Sequence, residues 1–130
     1  MNIYLHVEIS SRELDSKLLL ATLAASRGHD VIVSDLAGIL KGINKGLLAA
    51  GIFHTKSLTP SKDKINRHKK MIDKGFKVTS IDEEGNLNEE GYHSFAKQRY
   101  SDQTIDQSSA VFGWGSEDVD TLKEVSSKYK

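Results

Sequence analysis

Four short segments hold the side chains whose types and spacing suit chemistry. Asp82-Glu83-Glu84-Gly85 sets three carboxylates beside a glycine. Closely spaced like charges raise the pKa of one member towards a range useful for proton transfer, which makes Glu83 and Glu84 the candidate catalytic residues. Asp82 and Gly85 complete that turn as candidate substrate contacts, since carboxylates also bind sugar hydroxyls or a divalent cation. The plainer reading of such a run is a solvated acidic turn. Glu8, Ser11 and Arg12 stand where a first strand gives way to a helix. An arginine there can grip a carboxylate or phosphate bidentately, and a helix N-terminus favours an anion. The competing reading has Ser10 and Glu13 capping those N–H groups while Arg12 pairs with Glu8 or Asp15. Lys56-Ser57 follows a short extended run, and Trp114 stands between two glycines with a ring face suited to stacking on a sugar or a base. A tryptophan at a strand end also reads as core. Glu117, Asp118 and Asp120 just beyond it would repel a phosphate.

These segments need elements to position them. Residues 2–9 alternate and are rich in β-branched and aromatic types, which predicts a first strand. Ser10 and Glu13 have capping-box spacing, and Arg27-Gly28 reads as a basic last turn with a C′ glycine. Leu14, Leu18, Ala21 and Ala25 share one face of the helix between them. Val31–Val33 is wholly apolar, as in a strand covered on both faces. A helix is predicted over 36–50, with Leu36, Ile39, Leu40, Ile43 and Leu47 at helical spacing, although Gly38, Gly42 and Gly46 weaken it by about 1 kcal/mol each. Residues 51–54 read as a short strand or extended link. Thr59-Pro60 reads as N-cap and N1 of a further helix that Gly75 ends. Strands are predicted at 76–81 and 110–114, part of 88–100 reads as helical, and a last helix over 116–128 begins at Ser116. Strands alternating with helices imply right-handed crossovers and a mostly parallel sheet, an α/β Rossmann-like three-layer sandwich. In such a sheet all four segments follow strands and gather along the carboxyl edge, where open α/β sheets bind ligands.

The chain of 130 residues has the size of one domain, 1–130. Its 18 basic and 18 acidic side chains cancel, so no overall field draws it to nucleic acid. Without cysteine it has no disulfide or thiolate metal site, and His6, His29, His54, His68 and His93 lack metal-ligand spacing, so no metal is expected. Neither a G-x-G-x-x-G nor a P-loop is present, and no cofactor is expected. The start of the chain does not read as a signal peptide, and its apolar runs are too short to span a bilayer, so it reads as a soluble cytoplasmic chain. One strong local bias stands out: Lys62, Lys64, Arg67, Lys69, Lys70, Lys74 and Lys77, with His68. Spread around a helix with only Ile65 and Ile72 as a buried stripe, these read as a solvated surface. Residues 62–77 are otherwise a candidate peripheral contact with the inner face of the membrane.

Taken in order, Val7-Glu8-Ile9-Ser10-Ser11-Arg12-Glu13-Leu14-Asp15, His54-Thr55-Lys56-Ser57-Leu58, Ile81-Asp82-Glu83-Glu84-Gly85 and Val111-Phe112-Gly113-Trp114-Gly115 resemble the N-terminal region of bacterial surface carbohydrate biosynthesis proteins. These are glycosyltransferases of the two-lobed GT-B type, related to enzymes of capsule and lipopolysaccharide assembly. The resemblance runs from about residue 3 to 115. It implies one lobe of a GT-B fold, contributing the acceptor side of a cleft to a glycan or lipid-linked sugar. It also implies a second lobe or partner chain that binds the nucleotide sugar. Nothing in these residues corresponds to that lobe, so the expectation is a domain inactive alone. The alternative is a non-catalytic α/β ligand-binding or regulatory module. A receiver-type phosphoacceptor domain fits poorly, because Glu8 stands alone after the first strand and His54 occupies the second acceptor position.

Overall fold

The computed structural model describes residues 1–84 and 92–126, in which five strands alternate with six helices. In chain order these are β1 (Asn2–His6), α1 (Ser10–Ser26), β2 (Asp30–Ser34), α2 (Leu36–Asn44), β3 (Ile52–Thr55) and α3 (Lys62–Asp73). They continue with β4 (Lys77–Ile81), α4 (Tyr92–Arg99), α5 (Asp102–Asp106), β5 (Ala110–Phe112) and α6 (Ser116–Val125). Every strand pairing is parallel, and the order across the sheet is β2-β1-β3-β4-β5. The fold is therefore α/β, a Rossmann-like sandwich built on an all-parallel sheet. The ambiguous run 51–54 is a central strand, hydrogen-bonded to both β1 and β4. Gly51 permits that close approach, because a Cβ there would collide with the Asn2 carbonyl.

The chain leaves β1 in one direction to form β2, then returns to build β3, β4 and β5 on the other side. That reversal opens a crevice at the carboxyl ends of β1 and β3, where the following loops part. Side chains alternate between the two faces of each strand. Tyr4, Phe53 and Val78 lie in register on one face and meet Ile39 and Ile43 of α2 and Met71 of α3. Phe53 is fully buried there, and its truncation to alanine would cost about 3–5 kcal/mol. Leu5, His54 and Thr79 lie in register on the opposite face, where His54 meets Lys17 and Leu20 of α1. A second apolar cluster of Leu58, Ala96, Tyr100, Ile105 and Leu122 joins α4, α5 and α6.

Several local expectations are corrected. β1 ends at His6 rather than residue 9, and β5 at Phe112 rather than Trp114. Ser10 does not cap α1. It is the first helical residue, Ile9 is the N-cap, and only Glu13 reaches back. The buried residues of α1 are Glu13, Lys17 and Ala24, one position earlier per turn than the leucine spacing predicted, and Leu18 is 47% exposed. Ion pairs made by Glu13 and Lys17 fix this rotation. Gly28 closes α1 as expected, with φ +82° and the His29 N–H bonded back to the Ala24 carbonyl. Gly46 does the same for α2 at φ +69°, which stops that helix at Asn44 and leaves Leu47 exposed. The N-cap of α3 is Ser61, whose hydroxyl accepts from the Lys64 N–H, so Thr59-Pro60 precedes the helix. Its buried residues are His68 and Met71, while Ile72 is exposed. Ser116 likewise lies inside α6, with Gly115 as N-cap. Residues 88–91 and 127–128 of the predicted helices lie outside the described residues. No helix among the described residues is long and apolar enough to cross a membrane.

Candidate functional site

The turns after β1, β3, β4 and β5 meet at the carboxyl edge, as the parallel sheet requires. Glu8 forms an ion pair with Lys56, joining the turns after β1 and β3. The Glu83 N–H donates to the Lys56 carbonyl at 3.1 Å, and Arg12 approaches Glu84 at 3.7 Å. The Trp114 indole N–H donates to the Asp82 carbonyl at 2.7 Å. Glu8, Arg12, Lys56, Asp82, Glu83, Glu84 and Trp114 are thus brought together, while Gly85 lies outside the described residues. Two of the predicted residues stand apart. Ser11 is exposed and makes no side-chain hydrogen bond among the described residues. Ser57 is buried in its own turn, where its hydroxyl meets Thr59 Oγ1 at 2.8 Å and Lys64 Nζ at 3.4 Å.

Glu13 is the centre of this arrangement. It is wholly buried and accepts from the Glu8 N–H at 2.8 Å, the Ile9 N–H at 3.3 Å and Arg12 Nη2 at 3.1 Å, with Lys56 Nζ at 3.7 Å. Burial pushes its carboxyl pKa up, but the N–H groups, the guanidinium and the ammonium outweigh that and hold it below the usual value. The place that an external anion would take at the start of α1 is therefore filled by the chain's own carboxylate. The competing sequence reading, in which Glu13 takes up N–H groups at this turn, is the one the geometry matches, although Ser10 has no part in it.

The acidic turn is corrected in the same way. Each of its described carboxylates is taken up by a cation, Asp82 and Glu84 by the shared Arg99 and Glu83 by Lys17. Asp82 is buried and receives Arg99 through two bonds of 3.0 Å. Glu83 is paired with Lys17, whose ammonium is nearly fully buried. Glu84 lies 3.0 Å from Arg99 Nη1 and is the most exposed of the three. Burial would lower the Arg99 pKa, but Asp82 and Glu84 raise it. Across the edge five carboxylates (Glu8, Glu13, Asp82, Glu83, Glu84) face four cations (Arg12, Lys17, Lys56, Arg99). The balance of minus one suits a neutral polar ligand better than a phosphate.

Glu13, Lys17 and Arg99 were not read as site residues from the sequence. Lys17 had one available signal, a cation one helical turn after Glu13 amid leucines. Arg99 had none, since its partner is 17 residues away. Lys17 also borders a shallow cavity of about 160 Å³ with Leu20, His54, Ile81, Glu83 and Trp114. Trp114 is 64% exposed and its ring nitrogen is anchored, so an apolar face stands beside a carboxylate and an ammonium. Gly113 lets the N-terminus of α6 pack closely, since a Cβ there would lie 2.9 Å from that of Asp118. Asp118 in turn accepts from the Trp114 N–H at 2.7 Å. His54 beneath this cavity is held neutral: burial and nearby Lys17 lower its pKa to about 4, and its Nδ1 lies 2.9 Å from Thr79 Oγ1. Among the described residues no group of three or more histidine or acidic side chains is arranged to hold a metal ion. Comparison with protein-family models, with curated proteins and with solved structures returns no match for this chain.

Proposed function

We propose that this domain is the acceptor-binding lobe of a glycosyltransferase for surface polysaccharide assembly, with the sugar seated in the cavity beside Trp114. The observation that carries this reading is the pairing of an exposed, anchored indole with Glu83 and Lys17. A pyranose ring presents an apolar face and a rim of hydroxyls, so it uses an aromatic plane together with charged hydrogen-bonding groups. The resemblance of the strand-end segments to surface carbohydrate biosynthesis proteins supports the same assignment. In this reading Glu83 faces the acceptor hydroxyl and receives its proton as that oxygen attacks the anomeric carbon of a donor held by a second lobe. The nucleotide diphosphate departs with the electron pair of the broken bond. Glu84, on the other side of the turn, positions Arg12 and Arg99. Holding donor and acceptor in register supplies roughly 7–11 kcal/mol of barrier reduction. One lobe has an open, wet edge, so the domain alone is expected to bind sugar weakly and to transfer none.

A second reading, a non-catalytic ligand-binding module, is favoured by one fact: Glu83 and Glu84 are both engaged in ion pairs. The two readings separate in one experiment. Saturation-transfer NMR with methyl hexopyranosides and hexose disaccharides is expected to show contact with Trp114, lost at least tenfold in Trp114→Ala. In the full two-lobed protein, Glu83→Gln is expected to lower transfer at least 100-fold while sugar binding persists. Undiminished transfer would remove Glu83 as the base, sugar binding with no transfer by the unaltered protein would favour the second reading, and no sugar contact at Trp114 would defeat the sugar site.

A further inference from the structure

A different surface carries an inference that does not depend on the edge site. Between α2 and α3 lies a cavity of about 390 Å³, within the range of roughly 300–1,000 Å³ usual for small-molecule sites. Its apolar lining comes from Leu40 and Ile43 of α2 and Met71 of α3. Its charged wall comes from Arg67, Lys70 and Lys74, which follow one another at helical spacing and so share a stripe of α3 and the residue that ends it. Lys62 and Lys69, equally basic, are not part of this lining. Cations on an ordinary solvated face do not converge on an apolar hollow.

The groove is also electrostatically unfinished. Asp63 is the one acidic residue lining it, against three cations, a balance of plus two. Arg67, Lys70 and Lys74 make no ion pair among the described residues, unlike every cation of the carboxyl edge. The Arg67 Nε–H is buried without a hydrogen-bond partner among the described residues. A buried donor left unpaired is costly, so this arginine carries hydrogen-bonding capacity that no described residue takes up.

We propose that the α2–α3 groove binds an organic phosphate with an apolar body, its phosphate held by Arg67, Lys70 and Lys74 and its apolar part against Leu40, Ile43 and Met71. A phosphomonoester carries about −1.5 to −2 at neutral pH, which matches the surplus, and a guanidinium fits its oxygens bidentately. A soluble phosphomonoester and an anionic lipid headgroup share this chemistry.

The test is a titration of the isotope-labelled chain with octyl phosphate, inorganic phosphate and octyl glucoside, each kept below micelle formation and followed by backbone amide shifts. Octyl phosphate is expected to bind at least tenfold more tightly than the other two, with shifts centred on Asn44, Asn66, Lys70 and Lys74. Lys70→Gln with Lys74→Gln, both at exposed positions that spare the fold, is expected to weaken it at least tenfold. Arg67→Gln should do the same, with thermal melting as the check on its folding. Sedimentation with phosphatidylglycerol but not phosphatidylcholine vesicles would assign the phosphate to a lipid. Octyl phosphate binding without sedimentation would assign it to a soluble compound. Shifts centred on Arg12 and Lys56, equal affinity for octyl glucoside, or an unchanged double variant would overturn the proposal.

Discussion

The carboxyl edge of the sheet and the α2–α3 groove are both rich in cations, yet they solve the problem of charge in opposite ways. At the edge each cation meets a carboxylate from another turn: Lys56 meets Glu8, Lys17 meets Glu83, and Arg99 meets Asp82. In the groove Arg67, Lys70 and Lys74 meet none among the described residues. A paired network gives shape and rigidity but little spare attraction for an ion, whereas an unpaired one holds its attraction in reserve. The lesson is that counting lysines and arginines along a segment says little about anion binding until their partners are known.

The largest effect expected from breaking this contrast is at Glu13. Replacing it with alanine strands two backbone N–H groups and unbalances Arg12 and Lys56, so a loss of about 3–5 kcal/mol is predicted in urea unfolding. A loss below about 1 kcal/mol would show that the network is not buried as described.

Next in size is the response to acid, which touches both regions through their buried histidines. His54 lies under the edge cavity and His68 on the buried face of α3 against Phe53, and both have pKa values lowered from 6.5 to about 4, chiefly by burial. Their contribution is complete above pH 6.5, where folded and unfolded chains both hold them neutral. As pH falls from 6.5 towards 4 the unfolded chain takes up protons that the native one refuses, so stability drops by roughly 3 kcal/mol per histidine. Below about 4 the loss levels off. His54 has Thr79 as a partner, while neither ring nitrogen of His68 has one among the described residues. His68→Leu should therefore flatten the pH profile at little cost at pH 8, and an unchanged profile would refute the assignment.

A smaller effect is predicted for the Lys17–Glu83 pair, buried on the lysine side. Either Lys17→Met or Glu83→Gln alone should cost about 2 kcal/mol, and the double variant less than the sum, because each single change leaves one buried group unpaired. Additive losses would mean that the two do not interact. Smallest of all, Lys70→Gln with Lys74→Gln should leave stability within about 0.5 kcal/mol, since both side chains are exposed and make no ion pair among the described residues. A larger change would place them in the fold rather than at a ligand site.

How much of this was legible beforehand differs by residue. The parallel α/β class followed from strand and helix alternation, and the gathering of Glu8, Arg12, Lys56, the acidic turn and Trp114 followed from parallel strands placing successive turns on one edge. The glycine stops at Gly28 and Gly75 were legible too, because left-handed backbone is a local matter. The helix starts at Ser10, Thr59 and Ser116 were misplaced by one or two residues: Ser61 caps α3 in place of Thr59, while α1 and α6 start after Ile9 and Gly115, which offer no capping side chain to read.

By itself, then, the order of residues determined the class of fold, the segments that share an edge and the size of the basic bias in 62–77. Tertiary structure alone decided which face of α1 turns inward, that Glu13 occupies its own helix N-terminus, and that Asp82 and Glu84 share Arg99 while Glu83 turns to Lys17. It also decided that Arg67, Lys70 and Lys74 flank a hollow while Lys62 and Lys69 do not. The reason is the range of the forces involved. Backbone propensity and side-chain alternation act over a few residues and can be read along the chain. Ion pairing and cavity shape depend on groups tens of residues apart, such as Lys17 and Glu83, whose meeting only the folded chain arranges.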